Sequence, residues 1–200
     1  MTQTALIIGA TGGVGRALAD VLEARGAHER VVRLSRQPDP AVDVCDEASI
    51  ARAAAWLAAE GVALRLVIDA TGFLHDETFR PERGLAEIDP DHMAKAFAVN
   101  ATGPALLMKH FLPLLPREGR SVFATLSARV GSIGDNRLGG WHAYRASKAA
   151  LNQLVRGAAI ELGRKRREAI CVALHPGTVD TPLSRLPRPA LLLRGLPGRA

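Results

Sequence analysis

The chain has 200 residues, of which 48% are hydrophobic and 23% charged, which suits one domain with a substantial core. Its net charge of +6 does not favour nucleic-acid binding, because basic residues cluster at a predicted helix end, 164–167, and after Asp180, and one tyrosine offers little base stacking. An apolar membrane span, a cleavable leader and cysteines at metal-ligand spacing are all missing from the pattern, so we expect a cytoplasmic protein with no metal, nucleic-acid or membrane partner.

The first predicted element is a short apolar strand, 5–8, followed by a glycine-rich turn and a helix. The turn runs from Gly9 to Gly15 with the spacing GxxxGxG. Glycines let a backbone approach a pyrophosphate closely, and free N–H groups at a helix start attract its charge. Strand, turn and helix in this order predict a dinucleotide site.

A second strand, 30–34, ends at Ser35 and Arg36. In dinucleotide-binding sheets this position meets the adenosine ribose, where an acidic residue would accept hydrogen bonds from the 2′-hydroxyl. An arginine instead suits a 2′-phosphate, which a carboxylate would repel. The sequence therefore predicts NADP(H) in preference to NAD(H), although Arg36 could also be an ordinary surface cation.

Four more strands are predicted at 41–44, 64–68, 120–126 and 170–174, with helical patterns between them. A long helix is expected over 90–115, kinked where Gly103 precedes Pro104. This alternation is typical of an α/β fold with a doubly wound parallel sheet and helices on both faces, a Rossmann-like single domain. Ligands of such sheets bind beyond the carboxyl ends of the strands, where Asp43 and the segment 69–72 are placed.

A Tyr-x-x-x-Lys motif follows the fifth predicted strand. On a helix, Tyr144 and Lys148 lie one turn apart on the same face. A nearby ammonium would lower the pKa of the phenol and make it a usable acid or base at neutral pH. The alternative is a solvated helix face, and the motif gains weight only from the glycine turn that precedes it.

In order along the chain, these segments resemble the short-chain dehydrogenase/reductase family: the turn 9–15, Asp43, the tetrapeptide ending at Gly72, Asn100, Ser127, Tyr144-x-x-x-Lys148 and Pro176-Gly177. The segments 127–133 and 139–148 look closest to its C-factor-like and sniffer-like carbonyl reductases. The resemblance implies hydride transfer between a nicotinamide cofactor and a small carbonyl or alcohol substrate. It also implies a homodimer or homotetramer paired through two long helices.

The resemblance assigns roles to individual residues. Tyr144 would protonate the substrate oxygen, Lys148 would hold the ribose and lower the tyrosine pKa, Asn100 would position a water, and Ser127 would bind the carbonyl oxygen. The implied cofactor contacts are Gly9, Thr11, Gly13, Val14, Gly15, Ser35, Arg36, Asp43, Val44, Ala70, Thr71, Gly72, Asn100, Tyr144, Lys148, Pro176, Gly177, Val179 and Thr181.

Three departures from the family pattern stand out. The usual asparagine-rich tetrapeptide reads Asp69-Ala-Thr-Gly72, and Ala128 occupies the usual position of the catalytic serine, which leaves Ser127 one residue early and Ser132 as the runner-up. Residues 185–200 form an Arg/Pro/Leu-rich tail where the family has further helices and a last strand. We expect a dehydrogenase domain over 1–184 that lacks that strand, and a shifted reading frame is one hypothesis for the tail.

Two functions follow from these observations. The first is an NADP(H)-dependent oxidoreductase that interconverts a carbonyl compound and an alcohol, with Tyr144 as the general acid and base. The second, motivated by Ala128 and the atypical tail, is a dinucleotide-binding protein of weak catalytic activity that acts in signalling or regulation.

Overall fold

Five parallel strands form one sheet in the order β2-β1-β3-β4-β5. The computed structural model describes residues 2–37 and 40–185. The strands are β1 Gln3–Ile8, β2 Arg30–Leu34, β3 Ala63–Asp69, β4 Ser121–Leu126 and β5 Ala169–Leu174. The helices are α1 Gly13–Arg25, α2 Glu47–Ala59, α3 Pro90–Phe97, α4 Gly103–Phe111 and α5 His142–Lys165. The predicted Rossmann-like parallel sheet is confirmed.

The helices cover both faces of the sheet, and the strand residues alternate between two cores. On one face α1 packs through Ala19 against Ile7 and Ile68. On the other face α2, α4 and α5 enclose a larger core in which Leu6 and Phe123 are completely buried. Each large apolar side chain buried there contributes about 1.5–3 kcal/mol. These two cores fix the strand ends, which carry the polar residues of interest.

The predicted strand at 41–44 is wrong. Val42 donates its backbone N–H to Ser35 O just beyond β2, and the chain then turns, with Asp43 Oδ1 accepting from Cys45 N at 2.9 Å. Val42 and Val44 are nevertheless buried in the larger core. Their alternation with polar neighbours imitates a strand, although this segment joins no ladder of the sheet.

The predicted long helix over 90–115 is divided rather than kinked at its centre. A π-helical turn, Ala98–Thr102, separates α3 from α4, and a 3₁₀ turn, Leu112–Leu114, follows α4. Gly103 and Pro104 stand at the start of α4, where a proline without its N–H is tolerated. Asn100 is one of the five residues of this π-turn, so it lies at the irregular point between α3 and α4.

Within the described residues, β5 is the last strand of the sheet and pairs only with β4. The expected absence of the usual last strand concerns the chain beyond this range and stays a prediction. The expected tail lies almost entirely outside the described residues, so the domain boundary and the reading-frame hypothesis stay predictions. None of the described helices is both long enough and apolar enough to cross a bilayer.

Candidate active site

A cavity of about 610 Å³ opens at the carboxyl ends of the strands. Its walls come from the glycine turn, the segments that follow β3 and β4, the first turns of α5, and the segment after β5. The predicted residues that line it are Thr11, Gly13, Val14, Ala70, Thr71, Gly72, Ser127, Tyr144, Lys148, Pro176, Gly177, Val179 and Thr181. Most of the predicted site is thus brought together around one space.

The glycine turn forms the floor of this cavity. Gly9 has φ +80°, a conformation that side chains rarely adopt, and a methyl group on Gly15 would overlap the Gly9 carbonyl. The helix α1 begins after Gly12 without a side-chain cap, and Gly12, Gly13 and Val14 line the cavity, where the Thr181 side chain packs against Gly13. Such a start suits a pyrophosphate. Gly9 and Gly15 themselves shape the turn from beneath the cavity wall.

Tyr144 and Lys148 both line the cavity, one helical turn apart on α5. Lys148 Nζ lies 5.9 Å from the centroid of the Tyr144 ring. The ammonium also donates to Leu126 O, the last carbonyl of β4, at 2.8 Å. This bond ties α5 to the end of the sheet and places the positive charge beside the phenol.

Burial dominates the titration of both groups. It raises the pKa of the Tyr144 phenol above 10, and it lowers the pKa of Lys148 to about 8, with Asp69 acting in the opposite direction. Desolvation of the phenolate is the cause of the Tyr144 shift, and the expected lowering of this pKa by the Lys148 ammonium stays a prediction. Tyr144 is therefore protonated at neutral pH.

Asn100 lies completely buried behind the cavity and connects three elements. Its Oδ1 accepts from Phe73 N at 2.8 Å, and its Nδ2 donates to Phe73 O at 2.7 Å and to Ser147 Oγ at 3.1 Å. The π-turn, the loop after β3 and α5 are thereby joined one residue away from Lys148. Both amide hydrogens of Nδ2 are used in these bonds, whereas Oδ1 accepts one bond and keeps a second acceptor position, so the water-positioning role of Asn100 stays a prediction.

Asp69, the first residue of the altered tetrapeptide, accepts three hydrogen bonds that hold this segment in place. Its Oδ1 accepts from Thr71 N and Thr71 Oγ1, and its Oδ2 accepts from Thr125 Oγ1 on β4. A fully buried carboxylate needs such donors. Asp69 thus fixes the turn that presents Ala70 to Gly72 to the cavity.

The predicted adenosine contacts are not brought to the cavity. Ser35 Oγ donates to Gln37 O, and Asp43 Oδ1 is taken by Cys45 N. Val44 is buried against Gly103, whereas Arg36 is exposed. The cofactor roles of these four residues stay predictions.

The serine expected to donate a hydrogen bond to the substrate oxygen is already bound to another residue. Ser127 lines the cavity, but its Oγ donates to Asn152 Oδ1 on α5 at 2.7 Å. Ser132 is exposed, accepts from Asp135 N and does not line the cavity. Ala128, by contrast, lines the cavity with a side chain that cannot donate. Of the two candidate serines, only Ser127 lies at the site, and its proton is already used.

Restoring a hydroxyl at Ala128 is expected to increase activity. We expect Ala128→Ser to raise kcat for the carbonyl reduction predicted from the sequence about tenfold, since a single well-placed donor to a developing oxyanion is worth about 100-fold or more. Ser127→Ala is expected to change kcat less than about threefold, because its proton serves Asn152. Steady-state kinetics of both variants measure this, and a 100-fold loss in Ser127→Ala would restore Ser127 as the donor.

Several cavity residues were not predicted as site residues. They include Leu126, Arg129, Val130, Trp141, His175, Thr178 and the segment 182–184. Most of these residues are neighbours of a predicted site residue in the sequence. Their closeness to a predicted motif is therefore the sequence feature that could have identified them. Trp141 follows two glycines in the sequence, and in the structure it adopts φ 52°, which is rare for a bulky residue.

Comparison with known proteins decides the family. A sequence model described as Enoyl-(Acyl carrier protein) reductase matches residues 9–190, nearly the whole chain. The chain belongs to the short-chain dehydrogenase/reductase family. As a member of that family it is an oxidoreductase.

Individual relatives agree with this. The 1-hydroxy-2-glutathionyl-2-methyl-3-butene dehydrogenase of Rhodococcus sp. (strain AD45) is 31% identical over 193 residues, which cover 92% of this chain and 80% of the relative. C-signal of Myxococcus xanthus is 38% identical over 109 residues, 52% of this chain and 64% of the relative. The similarity to C-signal confirms the predicted branch within the short-chain dehydrogenases/reductases.

Solved structures of short-chain dehydrogenases/reductases share the fold. The NADPH-bound carbonyl reductase from chicken fatty liver superposes with a TM-score of 0.78 at 28% identity, over 94% of this chain and 80% of that one. The similarity therefore extends through the whole described sheet and its helices.

Proposed function

We propose that this short-chain dehydrogenase/reductase interconverts a small carbonyl compound and its alcohol, with NADP(H) as cofactor and Tyr144 as the general acid and base. One observation carries the proposal: Tyr144 and Lys148 share a single cavity with the glycine turn. The carbonyl reductase similar in structure has NADPH bound, which supports a nicotinamide dinucleotide here.

The residues present fit such a cofactor. The uncapped start of α1 offers N–H groups to a pyrophosphate, and the cavity continues from there past Gly72 to Tyr144. When bound, the reduced nicotinamide supplies the hydride that the substrate carbon receives. Residues 11–14 and 70–72 would hold the dinucleotide, and Val179 and Thr181, whose side chain lies against Gly13, would hold the carboxamide.

The chain's own acid–base chemistry centres on one proton. Tyr144 Oη carries it at neutral pH, because burial raises the phenol pKa, and donates it to the substrate oxygen as that oxygen gains negative charge. The Lys148 ammonium stabilises the resulting phenolate through its charge. In the reverse direction the phenolate takes the proton from the alcohol. Asn100 holds the neighbouring turn of α5 in place through Ser147.

Apolar side chains contribute to the walls of the cavity. They belong to Leu74, Val130, Trp141 and Leu183. We therefore propose an apolar ketone or aldehyde as the substrate class.

The preference for NADP(H) depends on Arg36. Arg36→Gln is expected to weaken NADPH binding about 10- to 100-fold, the effect of losing a charged hydrogen bond to the 2′-phosphate, and to change NADH binding less than threefold. Fluorescence titration with both cofactors measures this. Arg25→Gln, which removes an exposed positive charge at the end of α1, is the matched control. Equal weakening of both cofactors would contradict the assignment of Arg36.

The proposed function is tested by following NADPH oxidation against a panel of apolar ketones and aldehydes. Turnover that is lost in Tyr144→Phe supports the proposal. Tight NADPH binding without turnover by the wild type favours the second candidate, a dinucleotide-binding protein with a regulatory role, which the non-donating side chain of Ala128 motivates.

A further inference from the structure

A buried carboxylate lies at the first turn of the helix that carries Tyr144. Glu82 belongs to the loop between β3 and α3, and only 2% of its surface is exposed. Its two carboxylate oxygens accept from Ala143 N at 3.1 and 3.3 Å, and its backbone carbonyl accepts from Trp141 N at 2.6 Å. One residue therefore binds two N–H groups at the start of α5, immediately before Tyr144.

The helix α5 depends on this outside partner. Trp141 stands at its N-cap position in a left-handed conformation and forms no side-chain cap. The first N–H groups of a helix need acceptors, and a negative charge there also interacts favourably with the helix dipole. Glu82 supplies both, from a position 62 residues earlier in the chain than Tyr144.

Glu82 is itself held by a second buried group. His92 Nδ1, on α3, lies 3.3 Å from Glu82 Oε1, and His92 is 3% exposed. The imidazole stacks on Phe79 at a centroid distance of 5.1 Å and meets the edge of Phe73 at 5.8 Å. A carboxylate enclosed in this way has little freedom to change its orientation.

We propose that Glu82 is a positioning residue that holds the first turn of α5 so that the Tyr144 phenol faces the substrate oxygen. This inference rests on the proposed function of Tyr144. Ala143, which Glu82 binds, is adjacent to Tyr144 in the chain, so a shift of its N–H moves the phenol as well. A displacement of about 1 Å at a reacting group can cost about 100-fold in rate.

The test compares Glu82→Ala, Glu82→Gln and the matched control Glu87→Ala. Glu87 lies in the same loop, is exposed, and accepts from Arg83 N. We expect Glu82→Ala to lower kcat about 10- to 100-fold with NADPH affinity changed less than threefold. Glu82→Gln should retain kcat within about threefold, because its amide oxygen still accepts from Ala143 N, and Glu87→Ala should match the wild type.

A second measurement does not depend on turnover. Tyr144 is the single tyrosine of the chain, so absorbance of the phenolate reports its titration directly. We expect the midpoint to fall in Glu82→Ala, because a loosened first turn admits water to the phenol, and to stay unchanged in Glu87→Ala.

Three results would overturn the inference: a wild-type kcat in Glu82→Ala, a loss of NADPH affinity as large as the loss of kcat, or an unchanged tyrosine titration. If Glu82→Ala does not fold, Glu82→Asp, whose carboxylate is withdrawn by one methylene, is subject to the same three criteria. A wild type without turnover would remove the proposed function, and the tyrosine titration alone would then decide whether Glu82 positions the phenol.

Discussion

Replacing Tyr144 with phenylalanine is expected to lower kcat for carbonyl reduction about 100- to 10,000-fold, the range of one lost general acid. Phenylalanine keeps the ring that packs edge-on with Trp141 at 6.3 Å and removes only the hydroxyl. The cavity, the bond from Lys148 to Leu126 O and the glycine turn all remain. The loss should therefore appear in kcat, measured by NADPH oxidation under saturating substrate.

Two controls accompany this variant. NADPH affinity should stay within about threefold of the wild type, because the phenol contributes one of many contacts in the cavity. The phenolate absorbance should vanish, since the chain has no other tyrosine. A variant that keeps more than a tenth of wild-type kcat would exclude Tyr144 as the acid.

Lys148→Met is expected to abolish most of the turnover and yet stabilise the fold. The folded protein lowers the pKa of this buried ammonium from 10.5 to about 8. A difference of about 2.5 pKa units corresponds to ~3 kcal/mol of destabilisation at pH 7. Losing the bond to Leu126 O offsets about 1 kcal/mol. The free energy of unfolding should rise by roughly 2 kcal/mol at pH 7, without cofactor.

The pH dependence follows from the sign of this shift. Below about pH 8 Lys148 is charged in the folded and the unfolded chain, so the folded state carries the full cost. Between about pH 8 and 10.5 the folded chain loses the proton while the unfolded chain keeps it, and the cost disappears. The advantage of Lys148→Met should therefore shrink over this interval.

Urea unfolding at pH 7 and pH 10 measures both quantities. Lys165→Met, an exposed lysine at the other end of α5, is the matched control and should change stability by less than about 0.5 kcal/mol. A Lys148→Met protein that is less stable than the wild type at pH 7 would show that the ammonium stabilises the site instead of straining it.

The parts of the fold that local patterns encode were predictable from the sequence. A fully apolar run predicted the buried strand β1, and Asp46 is an N-cap residue at the start of α2, where its Oδ1 accepts from Ala48 N. The glycine spacing and the Tyr144–Lys148 pair fell at strand ends and helix starts, which parallel topology brings to one edge. Hence most of the cavity wall could be named in advance.

What the sequence could not show depends on contacts between distant segments. Val42 and Val44 alternate like strand residues but are buried by α2 and α4 rather than by pairing. The engagement of Ser127 with Asn152 and the role of Glu82 at α5 both require three-dimensional proximity. The pKa of Tyr144 depends on how deeply the phenol is buried, which no motif specifies.

The π-turn at Ala98–Thr102 has a geometrical consequence. A π-turn widens locally and so accommodates one residue more than an α-helical turn, which leaves α3 and α4 in nearly the rotational phase of an uninterrupted helix. Straightening this turn into regular α-helix with the extra residue kept would rotate α3 against α4 by about 100°. His92 would then leave Glu82, or Asn100 would leave Phe73, because one rigid rod cannot satisfy both alignments. The widened turn thus lets one helical rod carry a surplus residue while both of its halves keep their partners.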